Sequence, residues 1–311
     1  MTNLPDQKFN KNYSDEINLS ELFYVFWDKK FYIAAVTSLF ALISILYSLT
    51  LPNIYKSQAI MMPLEASSGM SGMMGQYSGI AGLAGISLPS ESASKSKEAI
   101  ARIQSFEFFS NHFLPQIKLE DLLAVKKWNK DSNTLAYKEN IFDLESGEWK
   151  RKVKPPRSII PSSQEAYKVF KEIIHISEDK DTLFISLSVK HESPFIAQKW
   201  VELIIDEIDD VMRDKDKNEA MRSIKYLNSL APKVNYEEIK KAISSLQQEQ
   251  MKRLMMVEAN ENYIYTVLDS PIAPEIKAQP SRSAIVILCT MLGMIFSVLG
   301  VLVFSSYKKS H

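Results

Sequence analysis

The chain is poor in the residues that most reactive centres require. Its single cysteine, Cys289, stands in an apolar run, so there is no disulfide framework and no CxxC pair for zinc or redox work. Four histidines, His112, His175, His191 and His311, are widely separated and lack metal-ligand spacing. His175 and His191 fall near the ends of two predicted hairpin strands, where they could face each other, and a solvated or strand-capping pair fits better than a metal or pH-switch site because no third ligand accompanies them. Net charge is missing too: Lys and Arg total 37 and Asp and Glu total 37, so no global field points to nucleic acid. Glycine is scarce, nine in 311 residues, and none precedes a lysine, which removes a GxxxxGK[ST] phosphate loop. GxGxxG, GxSxG, HExxH and EF-hand patterns are absent as well.

Two charged clusters remain to be read. The pairs Asp206-Glu207 and Asp209-Asp210 suggest general acid–base work, but neighbours on a helix point in different directions, and a solvated face explains them better. The run KRKVKPPR, Lys150 to Arg157, follows Trp149 and is the most basic patch. It suits an anionic or glycan contact with tryptophan as a stacking surface. Its prolines and charge fit a solvated loop better. No catalytic, cofactor-binding or metal residue is expected.

What the sequence does contain is two long apolar runs. No charged residue separates Lys30 from Lys56, and none separates Arg282 from Lys308. A hydrocarbon core about 30 Å thick needs roughly 20 helical residues, and both runs meet that length. They are expected to be helices, because lipid offers no partner for exposed backbone groups. The first is too long and starts too far in for a cleaved signal peptide. The expected division is a cytoplasmic tail 1–30, a span 31–52, an extracytoplasmic domain 53–282, a second span 283–307 and a cytoplasmic tail 308–311. Lys29, Lys30, Lys308 and Lys309 against Lys56, Lys277 and Arg282 give only a weak positive-inside bias, but long segments translocate regardless of charge. Small residues recur along each run: Thr37, Ala41, Ser44 and Ser48, then Cys289, Gly293, Ser297 and Gly300. Such stripes allow close helix approach, so Gly293, Ser297 and Gly300 are candidate packing positions.

The segment between the runs reads as α+β. KSQAIMMP, Lys56 to Pro63, predicts a strand, and Lys95 to His112 a helix with Ile100, Ile103, Phe106 and Phe109 on one side. Asp121 to Ile160 has no period and reads as irregular. Ser162 with Glu165 forms a capping box; then IIHIS and TLFISLSVKH predict a hairpin with Leu183, Ile185, Leu187 and Val189 alternating. Ser193-Pro194 opens a helix reaching about Leu230, roughly 55 Å at 1.5 Å per residue. Within it RDKDKNE is charged on every face, so it is expected to project into solvent or meet another protomer. After Pro232 a second helix, capped by Asn235 and Glu238, carries the period to Ile264, and Tyr263 to Leu268 predicts a strand. The strands at 56–63 and 263–268 are expected to meet in one sheet. The architecture is thus an α/β base, 53–192 and 263–282, with a long helical hairpin, 193–262.

Six of the nine glycines crowd into SSGMSGMMGQYSGIAGLAGISL, as Gly69, Gly72, Gly75, Gly79, Gly82 and Gly85. Without proline or a long repeat this is not collagen, and its serines and glycines make a poor span. The spacing fits a strap between the first strand and the Lys95 helix, with a glycine face for close contact and methionine as adaptable filler.

Several segments, in order, resemble the polysaccharide co-polymerases, specifically the Wzz-type O-antigen chain-length determinants. They are EINLSELFYVFWDKKFYI, LPNIYKSQAIMMP and EAIARIQSFEFFSNHF, then SLSVKHESPFIAQKWVELIIDEID with Ser193, Pro194, Ala197 and Trp200. The last is SLQQEQMKRLMMVEANENYIYTVLDSPIAPEIKAQPSR, whose Pro271, Pro274 and Pro280 match the family's proline tract. The resemblance implies an inner-membrane protein with both termini cytoplasmic and its bulk periplasmic. It also implies a homo-oligomeric ring, a Wzy-type polymerase and lipid-linked polysaccharide as partners, no cofactor, and control of O-antigen length without catalysis. Only Lys308 to His311 follow the second run, so the members with a fused tyrosine kinase are not the expectation. A membrane adaptor working with a separate kinase in capsule export is the alternative.

Overall fold

The computed structural model describes residues 27–64 and 91–310. The glycine-rich stretch from Ser67 to Leu88, with its six candidate strap glycines, lies outside the described residues. In chain order the elements are α1 Lys30–Thr50, β1 Tyr55–Pro63, α2 Glu91–Ile103 and α3 Leu119–Leu123. Then come β2 Val125–Asn129, β3 Thr134–Tyr137, β4 Phe142–Asp143, β5 Glu148–Trp149 and α4 Ser163–Ile173. The chain continues as β6 Ile174–Glu178, β7 Ile185–His191, α5 Pro194–Leu230, α6 Glu237–Ala259, β8 Tyr265–Asp269 and α7 Arg282–Ser310. They form two units, residues 1–51 with 280–311, and residues 52–279.

In the first unit α1 and α7 pack on each other, with mean hydropathies of 2.0 and 2.7. Both are long and apolar enough to cross a membrane. Most of their apolar surface is uncovered; Leu46 is 66% exposed and Val303 69%. A soluble core helix buries such side chains, whereas lipid is a favourable solvent for them. At the contact Ser44, Ser48 and Ser297 are buried. The hydroxyls of Ser44 and Ser297 donate to Ala41 O and Met294 O of their own helices, at 2.8 and 2.7 Å. That satisfies the Ser44 and Ser297 hydroxyls locally and lets small residues face the partner helix.

The second unit is built on a four-stranded sheet in the order β6-β7-β1-β8, with every pairing antiparallel. The strands at 56–63 and 263–268 do meet: β8 pairs with β1 from Pro63↔Tyr265 to Ile60↔Asp269. Along β1 Ser57, Ala59 and Met61 point to the buried face, and β7 adds Ile185, Leu187 and Val189. Helix α5 covers that face with Val201, Ile204 and Ile208, all fully buried. An aromatic cluster closes one side: Phe113 and Phe109 lie 4.8 and 4.9 Å from the Phe170 ring, and Trp200 stands edge-on to Phe113 at 5.7 Å. Tyr167 donates its hydroxyl proton to Gln104 O, tying α4 to the end of α2.

Several expectations are corrected. The Lys95–His112 helix is broken: Ser105 is extended and accepts from Phe108 N at 3.1 Å, capping a new helical turn that passes into a π turn at Phe109–Phe113. The segment 121–160 is not irregular throughout, since β2–β3 and β4–β5 form two small hairpins. Leu183 is not in the strand; it takes φ 59° in the turn closed by Asp179, and β7 starts two residues later. Register places His175 opposite Ser188 and His191 opposite Tyr55, so the two histidines do not face each other. His191 is buried, its Nδ1 accepts from Ser193 N at 2.9 Å, and its Nε2 therefore carries the proton it donates to Asp121 O. Helix α6 begins at Glu237 without the side-chain cap expected from Asn235, and ends at Ala259.

Candidate functional site

The largest departure from the sequence reading lies in the charged stretch of α5. Ile204, Ile208, Met212, Asp216 and Ala220 recur every four residues and are all buried, Asp216 being only 4% exposed. An aspartate thus occupies a slot in an apolar column. At Asp216 the stretch RDKDKNE does not project into solvent, and this carboxylate is satisfied within the chain, whereas Asp214, Asn218 and Glu219 are exposed. Lys95 Nζ donates to Asp216 Oδ2 at 2.7 Å and to Tyr263 Oη at 3.1 Å, while Tyr263 Oη donates to the same Asp216 oxygen at 2.5 Å. The triad joins the first described turns of α2, the middle of α5 and the segment entering β8.

A second layer surrounds it. Asp209, two turns earlier on α5, accepts from Tyr263 N and Ile264 N at 2.8 and 2.9 Å with one oxygen. Its other oxygen takes Arg213 Nη2 at 2.8 Å. Arg213 also donates to Val257 O at 2.6 Å, Asn260 O at 2.8 Å and Glu261 O at 2.9 Å. These carbonyls have no partner inside α6, so the guanidinium serves as the helix's C-terminal cap and complements its dipole. Farther out Lys215 holds both Glu98 oxygens at 2.7 and 2.8 Å, and Tyr265 donates to Ser96 O at 2.9 Å. Lys217 pairs with Glu258.

The electrostatics follow from this geometry. Burial pushes Asp216 up, but the hydrogen bonds from Lys95 and Tyr263 outweigh it and hold the carboxyl below its ordinary range. Burial likewise pushes Lys95 down, and Asp216 with Tyr263 more than restores it, so the ammonium lies above its usual value. Tyr263 is raised by burial and by its bond to Asp216. Every member thus stays in the state that makes its bonds near neutral pH. With its donors and acceptors spent internally, the cluster fixes three segments to one another. Among the described residues no group of three or more His, Cys, Asp or Glu is placed to hold a metal ion.

The positions singled out in the sequence are dispersed. Pro271 is buried, while Pro274 and Pro280 are half-buried. A Cβ on Gly293 would sit 2.6 Å from Phe40 Cβ, so this glycine permits the α1–α7 contact, and Ser297 is buried. Gly300 has nothing within 4 Å, and the neighbouring Val301 is buried instead. Of the acidic pairs, Asp209 is no solvated side chain, Glu207 lies 3.6 Å from His112, and Asp206 is raised by burial and by Asp210, Glu202 and Asp209. In the basic run Arg151 is committed to Glu165 at 2.6 Å and to the carbonyls of Ser158 and Ile159, and Lys150 pairs with Asp143 at 2.5 Å. Composition hid the Lys95–Asp216–Tyr263 triad. The one available signal was the four-residue column, which continues through Asp216 when the aspartate is allowed an apolar slot.

Residues 15–111 match the Wzz family, described as chain length determinant protein. No curated protein matches the chain. Among solved structures it is similar to a full-length bacterial polysaccharide co-polymerase at 14% identity, covering 94% of this chain and 99% of that one, with a TM-score of 0.39. It is also similar to a fragment of the polysaccharide co-polymerase WzzB from Salmonella Typhimurium at 13% identity, covering 73% and 100%, with a TM-score of 0.32. The family match thus covers less than a third of the chain, and over residues 15–111 the chain is similar to the chain length determinant family.

Proposed function

We propose that this chain is an inner-membrane polysaccharide co-polymerase that regulates O-antigen chain length without catalysing a reaction itself. The observation that carries the reading is the match of residues 15–111 to the chain length determinant family. Two membrane-length helices near the two ends of the sequence support it. In this reading α1 and α7 are spans, both termini are cytoplasmic, and 53–282 is periplasmic. Protomers assemble into a ring beside a Wzy-type polymerase and its lipid-linked substrate, and the ring biases when extension stops. Pro271, Pro274 and Pro280 shape the path into the second span, and Gly293 and Ser297 set the packing of the two helices. The long α5–α6 hairpin, joined to α2 and β8 by the Asp216 junction, supplies a stiff body for such a geometric mechanism. The test is expression in a strain lacking its own determinant. A lipopolysaccharide ladder that gains a preferred length supports the reading, and an unchanged ladder despite good expression removes it.

A further inference from the structure

Between β8 and α7 the chain runs as an irregular arc whose ends are fastened. Ser57, itself buried, donates from Oγ to Ile272 O at 2.8 Å. Seven residues on, Ile54 O accepts from Ala278 N and Gln279 N at 2.8 and 3.1 Å, and Ile54 N donates to Gln279 O at 2.9 Å. Pro271 and Pro274 contribute no N–H, so the arc cannot extend the sheet as a further regular strand. Between the fastenings it presents Ile272, 69% exposed, and Ile276, at 83% the most exposed large apolar side chain among the described residues. Folding thus holds two isoleucines out in an arc whose backbone is fixed at both ends.

We propose that this arc is a membrane-surface contact: Ile272 and Ile276 enter the interfacial layer of the bilayer, with Lys277 at the level of the lipid phosphates. The proposal rests on the reading of α7 as a span. Gln279 is three residues before Arg282, where α7 begins, and at about 3.3 Å per residue that is a reach of roughly 10 Å. Ile276 is only three residues farther back. Ile54, bridged to Gln279, follows the end of α1 by four residues, so both chain passages toward apolar helices flank the same arc. Two isoleucines also form a patch far smaller than the roughly 800 Å² per partner of a stable protein interface. An apolar side chain beside a lysine instead matches the layered chemistry of a bilayer surface. Glu275 is exposed next to Ile276 and stays on the water side.

The experiment uses the full chain carrying Cys289→Ser, reconstituted in phosphatidylcholine–phosphatidylglycerol vesicles. Ile276→Cys, Ile43→Cys and Lys180→Cys are each labelled with an environment-sensitive fluorophore. Ile43 lies in α1, and Lys180 lies in the β6–β7 turn, at the opposite end of the sheet from Tyr55. The expected result is loss of fluorescence at 276 with nitroxide lipid and protection from aqueous iodide, with the reverse at 180. Quenching at 276 by iodide but not by lipid overturns the proposal. Protection from both quenchers overturns it too, because the side chain is then covered by protein. If the label at 43 is not quenched by lipid, the span reading itself fails and takes this inference with it.

Discussion

Asp216 is held in an apolar column by one ammonium and one phenol, and its stability contribution depends on both. Removing the cation leaves a carboxylate buried with only Tyr263 as donor. Unpaired buried charges are far more costly than their absence, so Lys95→Met is predicted to destabilise the full chain by about 3 kcal/mol. The double change Lys95→Met with Asp216→Leu recovers most of that loss, because it removes the orphaned charge with its partner. Denaturant unfolding in mild detergent measures both; equal loss in the single and double variants would contradict the account. The pH dependence has a definite sign. Asp216 is lowered in the folded chain, so its contribution is present above the ordinary aspartate value near 4 and is lost as acid titrates it. Lys95 is raised, so its contribution is present below its ordinary value of about 10.5 and is lost as pH climbs through the folded value. A plateau between these limits is expected, and Asp216→Asn flattens its acid edge. An acid edge of unchanged steepness in that variant would assign the effect to other carboxylates.

At the scale of elements, the end of α6 depends on a residue from α5 rather than on its own sequence. Arg213→Met leaves the Val257, Asn260 and Glu261 carbonyls without their donor. Hydrogen bonds to charged groups contribute about 1.5–3 kcal/mol, so amides in 255–264 are predicted to exchange roughly tenfold faster or more. Those of β1 and β7 stay protected, and exchange rising uniformly over the second unit would contradict the capping role. The two membrane-length helices give a paired prediction. Gly293→Val drives a side chain into Phe40 and costs about 1–3 kcal/mol of thermal stability in detergent. Gly300→Val meets open space and stays within about 0.5 kcal/mol, and equal effects at both positions would refute the packing geometry. Much of this scale was legible beforehand. The α5 limits follow from Ser193-Pro194 and Pro232, and the β1–β8 pairing follows from two strand patterns, one directly after the first apolar run and one a short proline-rich tract before the second. The rest was hidden for physical reasons. Strands β4 and β5 have two residues each and show no period, and the break at Ser105 comes from one side chain capping three residues ahead. The Asp216 junction was illegible because its members lie 121 and 47 residues away along the chain, and single-sequence periodicity sees only one helix at a time.

At the scale of the whole molecule, the chain comprises two membrane-length helices and an α+β domain in which internal ion pairs tie the long helix α5 to its neighbours. Under the proposed function this stiffness serves a task done by shape and contact. The junction then matters for function through geometry. Lys95→Met should loosen the hairpin on its base and broaden the product distribution while leaving membrane insertion intact. The most direct measurement is the O-antigen length distribution in a strain lacking its own determinant, with the chain present in the inner-membrane fraction. The account predicts that the wild-type chain concentrates the distribution about a preferred length and that Lys95→Met widens it. A wild-type distribution indistinguishable from that of the empty strain would contradict it.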